Sequence, residues 1–155
     1  MFTSTDMMMI TMTPSKTNQT RAAFTRFENA HRKAAQKRLF AMLTGRSTSM
    51  LSLSQALGQH QPANRHYLGL QLVSIDQIHG SEARTTDFDD SFLPLNERSE
   101  QRWVSIFQAR LNDTPLPPVD LIKVGNEYFV RDGHHRISVA KVMGQDYIEA
   151  EVTEW

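Results

Sequence analysis

The sequence predicts a compact α/β domain, a mixed sheet with packed helices, preceded by an N-terminal helical extension. Three observations predict it. Val119-Asp120-Leu121-Ile122-Lys123-Val124 and Tyr128-Phe129-Val130 are strand-forming runs joined by a tight Gly125-Asn126-Glu127 turn. Ile137, Val139, Ala140, Val142 and Met143 then follow at helical spacing up to Gly144, a natural helix stop. Tyr147 to Val152 closes with strand alternation, Tyr147, Glu149 and Glu151 against Ile148, Ala150 and Val152. With the elements upstream, the order is strand, loop, helix, strand, strand, helix, strand, which gives a mixed sheet carrying helices.

From the N-terminus, residues 1–19 are rich in Met, Thr and Ser without periodicity and read as a disordered tail. Residues 20–64 form a basic helical extension and 65–155 the body. Arg21 to about Leu43 reads as one amphipathic helix, with Phe24, Phe27, Ala30, Ala34, Leu39 and Met42 as the apolar stripe and Gly45 as the stop. Met50 to Leu57 reads as a short helix ended by Gly58, and Gln59 to Arg65 as a polar linker. Leu68 to Ile75 is a strand candidate whose apolar face is Leu70, Leu72 and Ile75. Gly80-Ser81-Glu82-Ala83-Arg84 follows as a loop, and Thr85 to Asp90 as an acidic turn that is either solvated or, through Asp87, Asp89 and Asp90, feeds a metal. Asn96 to Leu111 reads as a helix with Trp103, Ile106 and Phe107 on one side. Pro115, Pro117 and Pro118 then fix an extended entry into the next strand.

Composition narrows the chemistry. The chain has 155 residues and no cysteine, which excludes disulfides, thiolate metal sites and thiol nucleophiles. No apolar run approaches the roughly 20 residues that span a bilayer, and Met7-Met8-Met9-Ile10 is too short for a signal-peptide core. A cytoplasmic protein with no membrane partner is expected. The formal net charge is +0, but residues 16–46 hold eight Lys or Arg against Glu28 alone, so the acidic excess falls on the body. That segment is either a packing helix with a solvated basic face or a contact for DNA. No aromatic among its exposed positions offers stacking to a single strand.

Asp132-Gly133-His134-His135-Arg136 stands between the hairpin and the last helix. Backbone N–H groups at such a junction point toward an approaching anion, and the helix dipole favours negative charge. On this reading Gly133, His134 and His135 present amides to phosphate, and Arg136 supplies a planar fork that neutralises it. Asp132 would hold Mg²⁺ beside the phosphates or act in catalysis. Ser81 and Arg84 form a second wall. A purely structural helix start uses the same residues, with Asp132 as N-cap, Gly133 in the turn and Arg136 solvated. Zinc is not expected, since no third and fourth ligand stand at familiar spacing.

From about Leu68 to Trp155 the chain resembles the ParB/sulfiredoxin superfamily. The resemblance is carried by Tyr128-Phe129-Val130-Arg131-Asp132-Gly133-His134-His135-Arg136, Ala140, Gly144 and Ile148-Glu149-Ala150-Glu151-Val152. It implies a nucleotide whose phosphates are held at the glycine and basic residues before the helix. Chromosome-partitioning CTP-binding proteins, sulfiredoxins, free-serine kinases and ParB-like nucleases belong there, as do bacterial proteins of unassigned activity. Sulfiredoxins place a catalytic cysteine where His134 stands, so their repair chemistry is not expected here. The Asp-Gly-His-His-Arg form is most similar to the serine-kinase branch, which implies a glutamate base in the loop after the first strand, a position open to Glu82. The expectation is therefore binding of ATP, ADP or CTP, with Mg²⁺, for phosphoryl transfer or hydrolysis. The alternative is a DNA-associated regulator or nuclease that uses the basic helix.

Overall fold

The computed structural model describes residues 15–58, 62, 64–83 and 86–155. It is a mixed α/β fold built on one six-stranded sheet. Helix α1 (Lys16–Thr44) is followed by strand β1 (Leu51–Ser52), helix α2 (Leu53–Leu57) and strand β2 (His66–Ser74). Strand β3 (Ile78–Ser81), helix α3 (Glu100–Leu111) and the hairpin β4 (Val119–Val124) and β5 (Glu127–Asp132) come next. Helix α4 (His134–Val142) and strand β6 (Tyr147–Glu154) complete it. The sheet runs β1-β3-β5-β4-β6-β2, with β1–β3, β3–β5 and β4–β6 parallel and β4–β5 and β2–β6 antiparallel.

The main core lies where one sheet face meets α4, with Val73, Ile78, Val119, Leu121, Val130, Ala150 and Val152 packed against Ile137, Ala140, Phe88 and Phe92. A smaller cluster of Leu53, Ile122 and Phe129 covers part of the opposite face. Side chains alternate along a strand, so Leu121 and Ile122 serve these two separate clusters.

Several sequence expectations are revised. Helix α1 starts at Lys16, inside the segment read as tail, whereas residues 1–14 lie outside the described residues. Its buried stripe is Ala23, Phe27, Ala30, Ala34 and Ala41, while Leu39 and Met42 are exposed. The small alanines let α1 approach closely, and Ala23 and Phe27 share a cluster with Trp103, Val104, Phe107 and Val139. The helical extension is thus built into the body. Trp103 ties the layers together, its indole donating to Ser138 Oγ at 2.9 Å while its ring meets Phe27 edge-on.

In β2 the inward residue is Val73, and Leu70 and Leu72 are exposed. The register explains it. Val73 lies opposite Ile148 and Gln71 opposite Ala150, so both share the core face of β6, whereas Leu70 and Leu72 stand beside Glu151 and Glu149. Gly80 and Ser81, read as loop, belong to β3, and Leu51–Ser52, read as helix, form β1. A Cβ on Gly80 would stand 2.3 Å from the Leu51 carbonyl oxygen and 2.7 Å from the Phe129 ring, so the strand crossing requires glycine. The α-helix expected from Asn96 begins at Glu100, after a 3-10 turn over Glu97–Ser99.

The acidic turn is not simply solvated. Asp89 is buried, accepts the N–H groups of Ser91 and Leu93, and pairs with Lys37 of α1 at 3.2 Å. Desolvation pushes the Lys37 ammonium down, but the Asp90 and Asp89 carboxylates outweigh it and hold its pKa above the ordinary lysine value. Among the described residues, no helix is long and apolar enough to cross a membrane.

Candidate functional site

The pentapeptide does sit at a strand-to-helix junction, between the end of β5 and α4. Gly133 makes the turn with φ +103°, a left-handed conformation that L side chains rarely adopt. The space above it is filled. A Cβ at Gly133 would stand 2.5 Å from Val119 Cγ1 and 3.2 Å from an Arg136 nitrogen. The glycine therefore serves chain reversal and packing against β4, and its missing side chain is taken up by Val119.

Arg136 has a different task from the one its sequence position suggested. Its Nη1 donates to the carbonyls of Pro117 at 2.5 Å and Pro118 at 2.7 Å, and its Nη2 to Asp132 Oδ2 at 2.6 Å. The side chain is only 11% exposed. The guanidinium thus fastens the proline segment to the helix start, and its fork is occupied by protein oxygen. Asp132, exposed on its own account, has one carboxylate oxygen engaged by the same clamp. Among the described residues, no three His, Asp or Glu side chains gather as a set of metal ligands.

The paired histidines are buried and grip one ring. His134 stacks on Phe88 with centroids 6.1 Å apart, and His135 meets the same ring edge-on at 5.2 Å. Ser81 Oγ lies 2.6 Å from His134 Nε2 and also 3.3 Å from the Val130 carbonyl, which locks β3 to the first turn of α4. Ser81 and His134, both read as phosphate ligands, are brought together, but by a contact with each other. Arg84 lies outside the described residues.

Glu82 goes elsewhere. It follows Ser81 by one residue, turns to the opposite face, and pairs with Arg131 at 3.4 Å. There it lines a cavity of about 200 Å³ with Leu53, Leu57, Arg65 and Trp155. Arg131 also reaches Asp120 at 3.6 Å, and the Arg65 guanidinium lies 3.9 Å from the centroid of the Trp155 ring. The structure thus does not bring Glu82 to the cavity that His135 borders.

That cavity, of about 340 Å³, is lined by Asp87, Asn96, Arg98, Ser99, Arg102 and His135. Ser99 is the N-cap of α3 and His135 lies in the first turn of α4, so two helix starts face the same space. Each contributes partial positive charge from its first amides. Arg98 and Arg102 are exposed, and neither forms an ion pair among the described residues. Asn96 Nδ2 donates to Asp87 Oδ1 at 3.1 Å, which fixes the one carboxylate in the lining. Sequence reading passed over Arg98, Ser99 and Arg102 because they look like the solvated start of an amphipathic helix. The available signal was two arginines four residues apart at a helix N-terminus, where cations oppose the dipole and structural use favours acids.

No family model matches the chain, and no curated protein matches it. Among solved structures it is similar to the crystal structure of sulfiredoxin from Arabidopsis thaliana, with 17% identity and a TM-score of 0.41. The match covers 54% of this chain and 82% of that one. At that identity and score, the likeness assigns no activity to this chain.

Proposed function

We propose that this chain binds the phosphates of a nucleotide in the cavity between the starts of α3 and α4. One observation carries the proposal: Arg98, Arg102 and His135 line a single cavity onto which two helix N-termini open. Two guanidiniums with no carboxylate partner among the described residues match the charge and bidentate geometry of phosphate oxygens. Ser99 adds a hydroxyl, while its own amide and that of Glu100 are already taken by the Asn96 and Glu97 carbonyls of the preceding 3-10 turn. Asp87, held by Asn96, is the lining carboxylate that would hold a Mg²⁺ and so help neutralise the phosphates. The sequence resemblance to the ParB/sulfiredoxin superfamily points to the same ligand class. ATP, ADP and CTP are the candidates.

The groups lining the cavity neutralise charge and orient a phosphate chain, the larger part of phosphoryl-transfer catalysis. Glu82 is paired with Arg131 across the sheet, so it is not assigned as base, and binding is the activity proposed. The test is thermal unfolding with ATP, ADP, CTP and GTP, with and without Mg²⁺. A ligand at one hundred times its Kd adds about 2.7 kcal/mol of stability. The double variant Arg98→Ala with Arg102→Ala should lose most of that gain. Full stabilisation of the variant, or no response of the wild type to any nucleotide, would overturn the assignment.

A further inference from the structure

A second cavity, of about 510 Å³, lies between α1 and α4 and has a different character. Its lining is Arg26, Asn29, Ala30, Lys33, Lys37, Ser91, Leu93, Lys141 and Val142. Six of these nine side chains bring hydrogen-bond donors, four of them cationic, and none is a carboxylate. Arg26, Lys33 and Lys37 recur at seven- and four-residue steps, which places them along one line of α1, roughly 16 Å from end to end at 1.5 Å per residue. Lys141 faces them from the last turn of α4.

The charges are balanced only in part within the described residues. Lys37 is taken up by Asp89, Asp90 and the Ser91 hydroxyl of the adjoining turn. Arg26 and Lys33 have none among the described residues. Lys141 is half-buried, and its ammonium rests 4.9 Å from the centroid of the Phe92 ring. Desolvation lowers its pKa, the Lys37 charge adds to that, and Asp76, Asp89 and Asp90 offset it only in part. Burial of the Lys141 ammonium outweighs these three carboxylates, and an anion placed beside it would offset that desolvation. The floor between the cations is apolar, formed by Ala30, Leu93 and Val142.

We propose that this cleft is a second ligand site, which takes a small organic anion with at least two phosphate-like groups and an apolar body between or beside them. The two α1 cations without ion-pair partners among the described residues, Arg26 and Lys33, stand about 10 Å apart along the helix at 1.5 Å per residue, wider than a single phosphate, and the volume falls in the range of small-molecule sites. The site is separate from the one bordered by His135, with which it shares no lining residue. It is formed largely by α1, outside the part of the chain that resembles the superfamily. The turn carrying Ser91 and Leu93 into the cleft also carries Phe88 to the His134 and His135 rings, so the two sites share a structural element.

The test is titration calorimetry with inorganic tripolyphosphate on the Arg98→Ala, Arg102→Ala protein, in which the first site is silenced. Binding should persist there. Adding Arg26→Gln with Lys33→Gln should weaken it by about tenfold or more, the loss expected for charged hydrogen bonds. Lys141→Met, which keeps the stem against Phe92, should weaken it as well, with circular dichroism confirming that each variant is folded. Loss of binding on silencing the first site alone, or affinity unchanged by Arg26→Gln with Lys33→Gln, would overturn the proposal. So would a twelve-nucleotide single strand that binds more tightly than tripolyphosphate and weakens steeply with salt, since that result makes the cleft a nucleic-acid surface. If the wild type ignores nucleotides yet the silenced protein binds tripolyphosphate, the first site fails and this one stands.

Discussion

Replacing Gly133 by alanine separates the two roles that glycine plays at an anion site: ligand approach and backbone geometry. In this structure the alanine methyl would fall 2.5 Å from Val119 Cγ1 and 2.8 Å from Val119 Cβ, with the backbone at φ +103°. A non-glycine residue in such a region costs on the order of 1–3 kcal/mol. Overfilling a packed site adds a further cost of about 1–3 kcal/mol. The variant should therefore lose roughly 2–6 kcal/mol, a large part of the 5–15 kcal/mol that holds a typical domain together. Urea denaturation of wild type, Gly133→Ala, Val119→Ala and the double variant resolves the two contributions. Trimming Val119 removes the overlap with Cγ1 but leaves its Cβ at 2.8 Å and the backbone strain untouched, so the double variant should be more stable than additivity predicts by about 1 kcal/mol. Nucleotide affinity of the folded variant should stay within a few fold of wild type, because Gly133 does not line the cavity of Arg98 and Arg102. Additive losses, or a variant of normal stability that no longer binds, would refute the packing account of this glycine.

Three further outcomes are expected. Arg136→Ala removes three hydrogen bonds from a side chain that is 11% exposed, so it should cost about 2–4 kcal/mol in urea denaturation while changing nucleotide affinity little; the reverse pattern would return Arg136 to the ligand site. On β2, Leu72→Thr should shift stability by no more than about 0.5 kcal/mol, whereas Val73→Thr should cost more than about 1 kcal/mol; equal losses would mean that the strand register is wrong. The Lys37 pKa is raised on folding, so its pairing with Asp89 and Asp90 adds stability that is fully present below 10.5, its ordinary value, and is lost as pH rises through the higher folded value. The stability gap between wild type and Lys37→Met should accordingly shrink only at strongly alkaline pH, and a gap that closes near neutrality would contradict the pairing.

Much of the fold was legible in the chain because it is written in local patterns. The β4–β5 hairpin, α4 with its stop at Gly144, and the alternation of β6 follow from strand and helix periodicity and from turn chemistry within a few residues. β3 was not legible. Gly80 and Ser81 lack strand character, and only the close passage of Leu51 and Phe129 makes glycine necessary there. The inward face of β2 was misread for a related reason: Leu70 and Leu72 look like a core stripe until β6 fixes which side each residue takes. In α1 Phe27, Ala30 and Ala34 were read correctly, while Leu39 and Met42 proved exposed and Ala23 and Ala41 buried, because the buried face is set by the partner and not by the helix alone.

The candidate site divides along the same line. By itself the sequence determined that a strand hands over to a helix at Asp132-Gly133-His134-His135-Arg136, since junction, turn and helix start are properties of neighbours along the backbone. Only the tertiary structure decided that Arg136 is consumed by Pro117, Pro118 and Asp132, that Glu82 faces the far side of the sheet, and that Arg98 and Arg102 line one cavity with His135. A cation is available to a ligand only if no protein oxygen reaches it first. The oxygens that decide this here come from other strands and loops, whose positions no local pattern encodes.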